Sequence, residues 1–126
     1  MDESVSSQRE ELGNETQELV NKIIEVLEDK KAEDVLALSV SHLTILAHSI
    51  IIASGRSSLQ VRALYDALTE KLEEQGIAAR RHEGTAEGRW IVVDYGDVIV
   101  HIFHEEERRY FNLERLWMDG TNIMKN

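Results

Sequence analysis

The sequence predicts an α/β (α+β) domain in which a mixed sheet of about five strands is flanked by helices. Residues 90–103 alternate two kinds of side chain about a Tyr95-Gly96 turn, the period of a β-hairpin. SIIIASG, Ser49 to Gly55, is an apolar run closed by glycine. Two longer stretches repeat apolar residues at helical spacing. The resulting order is α-β-β-α-β-β-β-α, with no internal repeat and no inter-domain linker.

Residues 1–14 are acidic, poor in apolar side chains and broken by Gly13-Asn14, and are expected to be a mobile tail ahead of a domain over 15–118. From Thr16, a candidate N-cap, Leu19, Val20, Ile23, Val26 and Leu27 form a helical stripe. DVLALSV (Asp34 to Val40) reads as a short buried strand, and SIIIASG as the next. A long helix follows from RSSLQ, striped by Val61, Leu64, Tyr65, Leu68 and Leu72, capped by Ser57 or Ser58 and stopped at Gly76. IAARRHEG holds a short edge strand on which Arg80 and Arg81 oppose sheet-to-sheet aggregation. Beyond the hairpin, a last helix is expected to put Tyr110, Leu113, Leu116 and Trp117 on one face, with 119–126 a frayed end.

The chain has 126 residues, enough for one domain with a sizeable core. It has no cysteine, which removes disulfides, thiolate metal sites and cysteine nucleophiles. Its net charge of −10 is uneven: residues 1–34 carry −7 and residues 35–126 only −3. The Lys/Arg field needed to wrap duplex nucleic acid is missing, so any action on a nucleic-acid machine should run through a protein component, with little direct nucleic-acid contact. No apolar run is long enough to span a membrane, and the acidic opening resembles neither a secretory signal nor a transit peptide. The expected location is the cytoplasm.

With Tyr95-Gly96 as the turn, Asp94 opposes Asp97, Val92 opposes Ile99 and Trp90 opposes His101. Ile91, Val93, Val98, Val100 and Ile102 then share one aliphatic face, the expected core. Trp90, Val92, Asp94, Asp97, Ile99, His101 and Phe103 share the other. Two facing carboxylates call for solvent or a cationic partner, and a tryptophan beside them suits a protein interface. The competing reading is that a helix, such as the one over Tyr110 to Trp117, covers this face and makes Trp90 core.

No catalytic constellation emerges from the remaining residues, and no cofactor or metal is expected. Gly55-Arg56-Ser57-Ser58 is a strand-to-helix junction that could hold a phosphate, but it matches neither a P-loop nor a dinucleotide fingerprint. His101 and His104 point to opposite faces of a strand, and with His42, His48 and His82 read as structural or surface histidines. Asp94 and Asp97 could bind Mg²⁺ but lack a third carboxylate placed by sequence. Glu105-Glu106-Glu107 is a helix N-terminal turn, followed by Arg108-Arg109 as a solvated face or surface contact.

GRSSLQVRAL (Gly55 to Leu64), HEG (His82 to Gly84), WIVVDYGDVIVHIFH (Trp90 to His104) and RRYFNLERLW (Arg108 to Trp117) closely resemble the ribosomal silencing factor (Iojap-like) family over about residues 16 to 118. The resemblance implies a fold related to nucleotidyltransferases without their catalytic acids, and a homodimer. It also implies binding to large-subunit ribosomal protein fourteen on the intersubunit face, which blocks small-subunit joining and represses translation when nutrients are short. Carried over residue by residue, the partner-facing surface falls on Trp90, Asp94, Tyr95, Gly96 and Asp97, with His101, Arg108, Arg109 and Tyr110 as further members. Two positions depart from the family pattern: His48-Ser49 stand where an Asp and an aromatic or small residue are usual, and Glu105 replaces a common proline. The alternatives are a nucleotide-binding or nucleotidyltransferase-like enzyme using Gly55 to Ser58 with Asp94 and Asp97, and an assembly factor for the large subunit.

Overall fold

The computed structural model describes the backbone of residues 3–45, 47–117 and 121–122, and the side chains of 15–45, 47–115 and 117. The elements are α1 (Glu3–Asp29), β1 (Glu33–Ser39), β2 (Ser49–Gly55), α2 (Ser58–Glu74), β3 (Arg81–Glu83), β4 (Trp90–Asp94), β5 (Val98–His104), α3 (Glu105–Phe111), α4 (Leu113–Leu116) and β6 (Thr121–Asn122). The strands form one mixed sheet in the order β3-β4-β5-β2-β1-β6. β2 and β5 pair in parallel, and every other neighbouring pair is antiparallel.

β2 lies at the centre of the sheet with all seven residues buried, which explains its unbroken SIIIASG composition. On one face Ile51 and Ala53 meet Val98, Val100 and Ile102 of β5, beneath Val20, Ile23 and Leu27 of α1 and Val61, Leu64, Leu68 and Leu72 of α2. On the other face Leu38, Val40, Ile50, Ile52 and Phe103 form a second cluster, against which Trp90, Leu113 and Trp117 pack. The helical stripes read from the sequence are thus the surfaces that close the first core. α2 starts at Ser57, whose side chain accepts a hydrogen bond from the Gln60 N–H, and stops ahead of Gly76 at φ 79°. Among the described residues no helix is long and apolar enough to cross a membrane.

Three boundaries differ from expectation. α1 begins at Glu3, so Thr16 is a buried residue of the helix interior and not its cap, and Gly13-Asn14 does not break the helix. One glycine in a helix costs only about 1 kcal/mol, and the flanking Glu, Gln and Leu residues are good helix formers. At the other end, Thr121 and Asn122 pair with Ser39 and Leu38, so the frayed end expected over 119–126 is overturned at these two residues. The rest of that segment lies outside the described residues. The single last helix is in fact two, because Asn112 adopts a left-handed conformation (φ 46°, ψ 53°) between α3 and α4. Asparagine tolerates that conformation better than most residues, and the break separates Tyr110 from Leu113 and Trp117.

Ile51 is fully buried at the centre of the sheet. Ile51→Ala should lower unfolding free energy by about 2–5 kcal/mol, measured by denaturant titration.

Candidate functional site

The hairpin of β4 and β5 turns at Gly96-Asp97. Tyr95 N–H donates to the Val98 carbonyl at 2.9 Å, and the paired residues are Asp94 with Ile99, Val92 with His101 and Trp90 with Phe103. This register differs by two residues from the pairing expected of a Tyr95-Gly96 turn. An even shift leaves every side chain on its assigned face, so Ile91, Val93, Val98, Val100 and Ile102 are all fully buried as expected. It does separate the two carboxylates, and the expected Asp94–Asp97 opposition is not present.

The turn itself is tightly specified. Gly96 sits at φ 90°, a conformation that strains any residue with a Cβ, while the atoms such a Cβ would meet belong only to the flexible end of the Arg80 side chain. Asp94 accepts from the Gly96 N–H at 2.7 Å and pairs with Arg81 Nε at 3.1 Å. Asp94 is thereby paired within the chain, through Arg81, which the edge strand β3 brings alongside β4. Asp97 is exposed, and among the described residues its carboxylate makes no ion pair. Its carbonyl accepts from the N–H groups of both His48 and Ser49, which ties the turn to the start of β2. His48 Nδ1 lies 2.8 Å from the Ser49 hydroxyl, so the unusual His48-Ser49 pair is part of that anchor.

Trp90 is partly buried, and neither simple reading of it holds. Its ring stacks on Phe103 with centroids 4.8 Å apart and packs against Phe111 at 4.9 Å. Its Nε1–H donates to His101 Nδ1 at 3.1 Å. Burial holds the His101 imidazole well below its ordinary value, at about 4, so it is neutral and able to accept at physiological pH. Phe111, 49% exposed, continues this aromatic surface to Tyr110, which is 83% exposed and in edge contact with it. Nothing in the helical pattern singled Phe111 out, because its position depends on the break at Asn112.

Two residues expected on this surface are placed elsewhere. The Tyr95 side chain belongs to the aliphatic core face and is only 8% exposed, with its hydroxyl pKa pushed up to about 12, chiefly by burial and then by Tyr65 and Glu73. Odd-numbered residues of β4 face the core, and Tyr95 continues that alternation. Arg108 is drawn inward, its side chain 12% exposed, donating to Glu114 and to the Ser54 hydroxyl at 2.8 Å. The expected solvated arginine pair is thus divided, and Arg109 alone is exposed. Arg108 and Arg109 line a polar cleft of about 530 Å³ with Asp34, Ser54, Glu105 and Asn112.

At the junction from Gly55 to Ser58, Gln60 N–H donates to Ser57 Oγ at 3.1 Å and Arg56 N–H to Gln60 Oε1 at 2.7 Å, so side chains already occupy donors that a phosphate would need. No group of three metal-capable side chains comes together among the described residues. His104 caps α3 by accepting from the Glu106 N–H, and Arg89 beside Trp90 pairs with Glu107 and Glu106, its pKa raised chiefly by the hydrogen bond to Glu107.

Because His101 titrates near 4 when folded and near 6.5 when unfolded, the unfolded chain binds more protons between those values. Its contribution is full above about pH 6.5 and declines toward pH 4, by at most about 3 kcal/mol given its partial exposure. His101→Leu should flatten that part of the stability profile, measured by denaturation at a series of pH values. Tyr95→Phe removes a buried hydroxyl that has no hydrogen-bond partner among the described residues, and should leave stability unchanged or raise it by about 1 kcal/mol in thermal and chemical melts.

A family described as "Ribosomal silencing factor during starvation" matches residues 13–126. The chain is 42% identical over 107 residues to the ribosomal silencing factor RsfS of Halalkalibacterium halodurans, covering 85% of this chain and 92% of that one. It is 45% identical over 93 residues to the RsfS of Bacillus subtilis, covering 74% and 79% respectively. A crystal structure of a Chromobacterium violaceum protein, 42% identical, superposes with a TM-score of 0.78 over 80% of this chain and 84% of that one. The matched residues include the hairpin and the helices that pack on both sides of the sheet, and the chain belongs to the ribosomal silencing factor family.

Proposed function

We propose that this chain is a translational repressor, not an enzyme, that binds the large ribosomal subunit in the cytoplasm and sterically blocks joining of the small subunit under nutrient limitation. Membership of the silencing-factor family carries this reading. The hairpin surface adds physical support. Trp90, Phe111 and Tyr110 provide stiff aromatic area at the end of the hairpin away from the turn. The exposed Asp97 carboxylate marks the turn itself, so the same hairpin offers aromatic and acidic contacts suited to a basic ribosomal protein. The proposed partner is large-subunit ribosomal protein fourteen on the intersubunit face, and the proposed form in solution is a homodimer.

The contact surface consists of Trp90, Gly96, Asp97 and Tyr110, joined by Asp94 through its pairing with Arg81 and by Arg109 at the border. Tyr95 and Arg108 contribute by holding the turn and α3 in place, since their side chains point inward.

Added to purified subunits at saturating concentration, the protein should suppress the light-scattering rise that follows subunit association; undiminished association would sink the proposal. Trp90→Ala should weaken co-sedimentation with the large subunit by about tenfold or more, the scale of a central aromatic anchor, while circular dichroism stays native. Unchanged co-sedimentation would remove Trp90 from the interface.

A further inference from the structure

We infer that His101 is a positioning residue for Trp90: its unprotonated Nδ1 accepts the indole N–H and fixes which edge of the ring the hairpin presents to the large subunit. The inference rests on the proposed contact between Trp90 and that subunit. Phe103 and Phe111 lie 4.8 and 4.9 Å from the Trp90 ring centroid, at interplanar angles of 25° and 44°. Such contacts restrain the plane of the ring but discriminate weakly between its edges. The indole has a single polar atom, a donor with no acceptor capacity, so the one hydrogen bond it makes selects the ring orientation. That bond goes to His101, 3.1 Å away and diagonally across the two strands, since His101 pairs with Val92 while Trp90 pairs with Phe103.

The arrangement demands one tautomer. For Nδ1 to accept, the imidazole proton must sit on Nε2. Burial supplies the other requirement by keeping the ring neutral at the pH where translation runs. His101 therefore acts through Trp90 and need not touch the partner.

The tautomer of His101 in the unmodified protein can be read from long-range ¹H–¹⁵N NMR of its imidazole, with Nε2–H expected together with slow exchange of the Trp90 indole proton. An Nδ1–H tautomer would overturn the inference whatever the variants do. In a Trp117→Phe background, where Trp90 is the sole tryptophan, His101→Leu should increase acrylamide quenching of Trp90 emission and lower affinity for the large subunit about tenfold. His101→Asn, which keeps an acceptor at the δ position, should recover most of both. Native quenching and affinity in His101→Leu would refute the positioning role, and lost affinity with native quenching would make His101 a direct contact. If Trp90→Ala binds normally, the ribosome contact fails, while the tautomer and quenching still decide whether His101 orients Trp90. Should His101→Leu fail to fold, the tautomer in the unmodified protein decides alone.

Discussion

The parallel pairing of β2 with β5, from Ser49 against Val98 to Gly55 against His104, places the two most deeply buried strands side by side at the centre of the sheet. A parallel pair cannot be joined by a tight turn, so the chain must cross over, and α2 lies in that crossover. α2 then covers one face together with α1, while α3 and α4 return to the other. Because both faces are covered, β2 carries no charged residue, and its two serines are buried with hydrogen-bond partners, Ser49 at His48 and Ser54 at Arg108. The hairpin surface depends on the same pairing: β5 is fixed by β2, β4 by β5, and the turn is tied back to β2 through His48 and Ser49.

Trp90 gains its character from what surrounds it more than from its own exposure. Phe103 is fully buried and gives the indole a rigid floor. Phe111 approaches from α3, and its position follows from the left-handed Asn112 that ends that helix. His101 removes the only polar atom of the ring from competition with solvent. A large aromatic held in this way loses little further entropy on binding, which is how such residues come to dominate interfaces. Beside Trp90, Arg89 is paired with Glu106 and Glu107; at the turn end of the hairpin Asp94 is paired with Arg81 and Asp97 is left to solvent.

The register of the hairpin separates what alternation can determine from what it cannot. A turn placed one residue too early shifts the cross-strand register by two, and so still assigns Ile91, Val93, Val98, Val100 and Ile102 to the core, because the side-chain period is two. It pairs the wrong residues across the strands, and with them it pairs Asp94 with Asp97. The electrostatic argument for a cationic partner beside facing carboxylates therefore falls. What remains is one free carboxylate, one satisfied internally by Arg81 and the Gly96 N–H, and an aromatic surface extended by Phe111.

By itself the sequence determined the mixed sheet, the faces of its strands, the stripes of α1 and α2, and the family. Those features rest on local periodicity and on motifs a few residues long, and both are written directly in the chain. Tertiary structure alone decided which arginine pairs with Asp94, that Arg108 turns inward, and that Phe111 joins Trp90. It also decided that Thr121–Asn122 adds a strand against β1. Each of these depends on contacts between segments far apart in the chain or on one backbone residue, Asn112, in a conformation that propensity permits but does not require.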